Sequence, residues 1–140
     1  MADATAACEN PRVTDDSPVF SPTRSATANL LFVSGQLPID ADGRVPDDID
    51  AQTRLVLANI ATHLDAHGLD FGAVVKVTYF LRDIGDLEAV RAVLREVLPR
   101  PRPAASLVEV SALVNPKCRL EIDAIAQLGG SGPMLARELP

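Results

Sequence analysis

The chain has no tryptophan, one tyrosine, two histidines and two cysteines in 140 residues, and each scarcity removes a class of chemistry. Cys8 and Cys118 are too few to staple a small secreted scaffold, and Cys8 falls in a polar N-terminal stretch. No charged head followed by an apolar run of signal-peptide length opens the sequence, so the cytoplasm is the expected location. No run of apolar residues reaches the roughly 18 needed to span a bilayer, and no membrane partner is expected. With 19 acidic against 13 basic residues the formal charge is -6, which repels polyanions on average. Arg91, Arg95, Arg100 and Arg102 form the one tight basic cluster, without the interleaved aromatics of a base-stacking surface, so nucleic acid is disfavoured. His63 and His67 stand four apart, yet no acidic metalloprotease signature accompanies them and no metal is expected. Gly129 and Gly130 lack the strand-to-helix context of a phosphate cradle, and Ser34 and Ser106 lack that of a nucleophile elbow. Neither cofactor nor metal is expected.

What is present suits one domain, because no Gly/Pro/Ser linker divides the chain into two halves able to fold alone. Residues 1–17 are small and polar without a period and are expected to be a flexible N-terminal segment. Residues 18–128 form the domain, and the Gly-rich 129–140 form a tail. NLLFVSG, residues 29–35, reads as a strand or hairpin arm, followed by a turn at Asp42-Gly43. From Asp47 the period changes. Leu57, Ile60, Ala61 and Leu64 recur at helical spacing, Asp47 and Asp50 stand in the N-cap and N3 relation, and Gly68 is placed as a stop. Residues 73–83 read as a buried strand, since Val74, Val75, Val77, Tyr79, Phe80 and Leu81 leave few positions compatible with water. A second helix over 86–99 places Leu87, Val90, Leu94 and Val97 on one face and is closed by Pro99. SLVEVSALV, residues 106–114, and RLEIDAIAQL, residues 119–128, are the last strands, with Pro116 in their connection.

The order is strand pair, helix, strand, helix, two strands: an α+β plan with two helices on one face of a mixed sheet. The other face then needs a cover, and the same surface on a second copy supplies one. A closed oligomer with small-molecule clefts at its subunit edges is therefore expected.

NLLFVSGQLPID, AQTRLVLANIATHLDAHGLDFGAVVKVTYFLRDIGDLEAV, RPAASLVEVSAL and RLEIDAIA, in this order, resemble the Rid family of reactive-intermediate deaminases, also called YjgF/YER057c/UK114, over roughly residues 18–127. The resemblance implies a chorismate-mutase-like, YjgF-like α+β fold assembled as a homotrimer, with ligand clefts between subunits. It also implies cofactor-independent hydrolysis of enamine or imine intermediates to ammonia and a keto acid. In such deaminases an R-S-x-V-E-V motif supplies an arginine that clamps the substrate carboxylate, for which the fork of guanidinium donors is well matched. Here the segment is AASLVEV, so that arginine falls on Ala105, and a cysteine common further along the strand falls on Leu107. Gly35 matches a backbone segment beside the cleft, and Glu121 the acid thought to orient or activate water. Phe20 in FSP matches the aromatic of a Y-S-P type motif, without its hydroxyl. A helical residue that is usually asparagine is Arg91, and the link from that helix to the last strands is shortened.

These matches nominate Glu121 as the catalytic residue and Phe20, Gly35, Arg91, Ala105 and Leu107 as ligand contacts. Arg102 is a possible anion contact. Each has a plainer structural role to set beside it. Glu121 can be a solvated strand residue, Arg91 a surface charge on a helix, and Arg100 and Arg102 are held in a proline-restricted link. Glu109 and Asp123 read as strand-face residues. Loss of a buried bidentate contact removes on the order of 2 to 5 kcal/mol, enough to change substrate choice. The expectation is a Rid-like trimer binding or hydrolysing a small carbonyl- or imine-bearing metabolite, distinct from a standard 2-imino-acid deaminase. The alternatives are a non-catalytic metabolite sensor or interaction trimer, and an endoribonuclease.

Overall fold

The computed structural model describes residues 17–26 and 29–129. In it the chain runs β1 (Leu30–Gln36), α1 (Ile49–Asp65), β2 (Val74–Leu81), α2 (Leu87–Val97), β3 (Ala104–Glu109) and β4 (Leu120–Gln127). The strands form one mixed sheet in the order β1-β4-β2-β3, antiparallel except where β3 lies parallel to β2. A parallel neighbour demands a crossover, and α2 supplies it. Both helices share the face of the sheet from which Val33, Val77, Tyr79, Leu81, Ile122 and Ala124 project into the core. The α+β plan with two helices on one face is as the sequence implies.

Local chemistry accounts for the boundaries and corrects several of them. Asp48 is the N-cap of α1, its side chain accepting from the Ala51 amide at 2.8 Å, so the cap lies one residue beyond the expected Asp47. At the other end Gly68 takes a φ of +68°, which lets the Leu69 amide donate back to the Leu64 carbonyl at 3.0 Å. The apolar stripe of α1 is set further toward its N-terminus than expected: Gln52, Thr53 and Val56 are buried with Leu57, Ile60 and Leu64, whereas Ala61 is only half-buried. Among the described residues a single strand, not a pair, precedes α1. β3 starts at Ala104 and stops at Glu109, so the expected strand over 106–114 is shifted, and Val114 is exposed. β2 ends at Leu81, the partner of Glu109, so residues beyond Val110 have no strand to pair with.

Two buried polar arrangements fix the start of β4. The Gln52 amide donates to the Pro46 and Lys117 carbonyls at 2.7 and 3.0 Å, and its oxygen accepts from the Arg119 amide at 2.8 Å. Arg119 also makes a two-pronged ion pair with the largely buried Asp86, at 2.5 and 3.1 Å. These contacts set where Glu121 emerges.

Among the described residues the opposite face of the sheet carries no helix. Phe32 is 69% exposed there, with Leu30 and Val108 at 40% and 44%, alongside the half-buried Phe80 and Ile125. No helix among the described residues is long and apolar enough to cross a membrane.

Candidate functional site

Side-chain alternation divides the nominated residues between the two faces. In β3, Ala105 and Leu107 pair with Val77 and Tyr79 of β2 and point, like them, to the helix side. There they line a cavity of about 160 Å³ at the β3 edge, together with Phe20, Arg91 and Leu94. Its walls are mainly apolar. Arg91 stands at the rim, 38% exposed, and donates to the Glu88 carboxylate at 2.8 Å one turn earlier on α2. Phe20 is half-exposed.

Gly35 and Glu121 lie on the open face instead. Glu121 pairs with Phe80 of β2, and the ladder between β1 and β4 is irregular between Val33 and Gln36, which brings the Gly35 backbone against Glu121. A Cβ added at Gly35 would overlap the Glu121 carboxylate and fall 2.8 Å from its Cδ, so glycine is the residue that lets the acid lie flat over this backbone. The seven nominated residues are thus not gathered into one pocket of one chain. Phe20, Arg91, Ala105 and Leu107 share one cavity, Gly35 and Glu121 share a patch on the other face, and Arg102 belongs to neither.

Arg102 is 5% exposed, and its guanidinium donates to Ser17 Oγ and the Pro18 carbonyl, both at 3.0 Å. Its own carbonyl accepts from the Ser21 hydroxyl and from Arg24, whose guanidinium also reaches the Pro101 carbonyl at 2.8 Å. The Ser21 amide donates to the Pro103 carbonyl at 2.9 Å. Residues 17–24 are therefore strapped onto the proline-rich link between α2 and β3, which sets the Phe20 wall of the cavity.

Other candidates have local duties. Glu109 accepts from the Ile84 amide at 3.0 Å, and Ser106 Oγ from Lys76 at 3.0 Å. Asp123 pairs with Thr78 on the open face. His63 Nε2 contacts Gln36 Oε1 at 3.2 Å and His67 Nδ1 the His63 carbonyl at 3.1 Å, and no metal-binding cluster of three groups occurs among the described residues. The Cys118 thiol is buried, which together with the nearby Glu121 charge pushes its pKa up and keeps it unreactive. Cys8 and Gly130 lie outside the described residues.

Four cavity residues, Val19, Tyr79, Leu94 and Ser106, were not nominated from the sequence, and Tyr79 stands out among them. Tyr79, treated there as one more apolar position of a buried strand, is 2% exposed and lines the cavity, and its hydroxyl has no hydrogen-bond partner among the described residues. An unmet buried hydroxyl costs about 1 to 3 kcal/mol. The one available signal was its uniqueness as the chain's single tyrosine, since a buried tyrosine ordinarily directs its hydroxyl to a partner.

Comparison with known proteins agrees with this architecture. Residues 17–128 match the family model described as Endoribonuclease L-PSP. A RutC family protein of Pyrococcus horikoshii is 44% identical over 101 residues, covering 70% of this chain and 79% of that protein. The 2-iminobutanoate/2-iminopropanoate deaminase of Escherichia coli K12 is 39% identical over 103 residues, covering 70% and 79%. Among solved structures, RidA from an Antarctic Psychrobacter species superposes with a TM-score of 0.69 at 30% identity, covering 74% of this chain and 85% of that one. The E. coli YjgF gene product does so with a TM-score of 0.65 at 36% identity, covering 74% and 84%.

Proposed function

Because this chain belongs to the Rid (YjgF) family, that of the Endoribonuclease L-PSP model, we propose that it acts as a closed homotrimer. In it the Gly35–Glu121 patch of one copy meets the Phe20–Arg91–Ala105 cavity of the next and completes a cleft for a small carbonyl- or imine-bearing metabolite. The observation that carries this reading is the split itself: the two half-sites lie on opposite faces of one sheet, and an exposed apolar surface surrounds one of them. Phe32 and Val108 gain by being covered, and subunit edges are where clefts form.

In that cleft Glu121 holds a water within hydrogen-bond reach of the ligand's electrophilic carbon. Water adds to the C=N carbon while the carboxylate takes one of its protons and passes it to the nitrogen, giving a neutral carbinolamine. The carboxylate then takes the carbinolamine's hydroxyl proton and delivers it to the amine as the C–N bond breaks, so that ammonia leaves, a C=O remains and Glu121 ends ionised as it began. Ala105 and Leu107 offer no cation for a carboxylate, which separates this cleft from that of a standard 2-imino-acid deaminase. The protein is expected in the cytoplasm, without metal or cofactor.

The test combines sedimentation analysis of the full chain with an ammonia-release assay on imines generated in place from a panel of amines. A trimer whose ammonia release falls at least a hundredfold in Glu121→Gln, with the fold intact, is the expected result. A monomer, or turnover indifferent to Glu121→Gln, would overturn the mechanism. Saturable binding without turnover would identify a metabolite sensor instead, and RNA cleavage abolished by the same substitution an endoribonuclease.

A further inference from the structure

The Tyr79 hydroxyl is a buried donor that finds no acceptor among the described residues. It sits on β2 between β3 and β4, facing the helices, with Leu107 as its cross-strand partner and Ala105 on the same face two residues away. Phenylalanine would fill the same core volume without burying an unmet polar atom. Tyr79 lines the cavity beside Ala105, Ser106 and Leu107, where the side chains of Ala105 and Leu107 offer only hydrocarbon and the Ser106 hydroxyl is engaged by Lys76.

We infer that the Tyr79 hydroxyl is the hydrogen-bond donor that seats an uncharged carbonyl or imine ligand in this cavity, making the chain selective for neutral ligands over carboxylates. The inference rests on the cavity being half of the ligand cleft. Burial keeps the phenol protonated, and so a donor, throughout the physiological range, against a smaller opposing effect of the nearby Arg102. A neutral acceptor satisfies one donor and leaves nothing charged behind. A carboxylate brought to the same place loses its hydration and meets one hydroxyl where a bidentate fork is needed. Arg91, which lines the cavity, is paired with Glu88, and Arg102, whose charge is felt at Tyr79, is engaged by Ser17 and Pro18. The hydroxyl is sealed from solvent in the unliganded chain, so a ligand reaches it as one of the half-buried or half-exposed rim side chains, Arg91 or Phe20, swings aside.

Calorimetric titration of the full-length protein with a matched pair of probes, 2-oxobutanamide and 2-oxobutanoate, tests this. The wild-type chain is expected to bind the amide at least tenfold more tightly than the acid. Tyr79→Phe is expected to lose about tenfold in amide affinity, the value of one net hydrogen bond, while melting no lower than wild type. Ala105→Arg is expected to reverse the preference toward the acid. With one tyrosine and no tryptophan, the ultraviolet difference spectrum of the wild-type protein reports on Tyr79 alone, and the amide should perturb it. Unchanged amide affinity in Tyr79→Phe, or a wild-type preference for the acid, would overturn the inference while binding by Ala105→Arg left the cleft standing. Failure of both probes to bind either wild type or Ala105→Arg would overturn the cleft and the inference together.

Discussion

A methyl group placed on Gly35 can only enter the space of the Glu121 carboxylate, and that carboxylate is the movable end of a side chain. Gly35→Ala is therefore expected to shift the acid with little effect on the melting temperature, and to reduce turnover about as far as Glu121→Gln does. Parallel ammonia-release and thermal-melt measurements on the two variants check this. An active Gly35→Ala would detach Glu121's position from its role. Tyr79 makes the second residue-scale prediction. Burial raises its pKa above the ~10 of an unfolded tyrosine, so the folded state holds the proton more tightly. Its contribution to stability is intact below about pH 10 and is lost as the pH rises beyond that value. Tyrosinate absorbance should therefore appear together with the loss of the far-ultraviolet circular dichroism, and a reversible titration near pH 10 in the folded protein would contradict the buried placement. The closeness of Gly35 and Glu121 could be approached from the sequence because short motifs nominate both residues. Tyr79 was not legible there, because a buried strand reads as uniformly apolar and a hydroxyl's missing partner is a property of three dimensions.

The link between α2 and β3 shows what the elements decide. Its arginines looked like candidate anion contacts, and the prolines on either side of Arg102 gave no direction for its side chain. The fold turns Arg102 inward onto residues 17 and 18, while Arg100 remains exposed with Ser17 Oγ at 2.6 Å. Arg102→Met, which keeps most of the apolar stem, leaves the Pro18 carbonyl without that donor and should cost about 1 to 3 kcal/mol in urea denaturation. Arg100→Met should cost under about 1 kcal/mol. Hydrogen exchange at the Ser21 amide, bonded to Pro103, should accelerate in the first variant only. Equal costs for the two arginines would show that the strap does not depend on Arg102. The same contrast explains the sequence reading at this scale. Helices were legible because their period and caps are local, with Asp47 and Asp48 close enough to exchange the cap. The limits of β3 were set by where β2 ends, which no alternation within SLVEVSALV reveals.

At the scale of the molecule, the sequence required a second cover for the sheet, and the structure leaves Phe32, Leu30 and Val108 exposed on the face where that cover is needed. Phe32 pairs across the ladder with Ile125, two residues along the face from Asp123 and four from Glu121. A lysine in its place meets water in a single chain but is buried against apolar surface in an assembly, where an unpaired charge is costly. Phe32→Lys is thus expected to convert the proposed trimer to monomers with the same circular dichroism spectrum. Stability should become independent of protein concentration, as it is not for an associating chain. In the proposed cleft turnover should fall with the trimer, because Glu121 and the Ala105 cavity would no longer meet, although neither residue has been touched. Mixing settles whether the half-sites act across the interface. Glu121→Gln and Ala105→Trp, the second blocking the cavity, are each expected to be inactive alone. Co-refolded, they should regain up to about a quarter of the wild-type sites, by random pairing of an intact Glu121 patch with an intact cavity. Recovery requires that the two surfaces come from different copies, and its absence in a mixture shown by mass to contain mixed trimers would place the complete site within one chain.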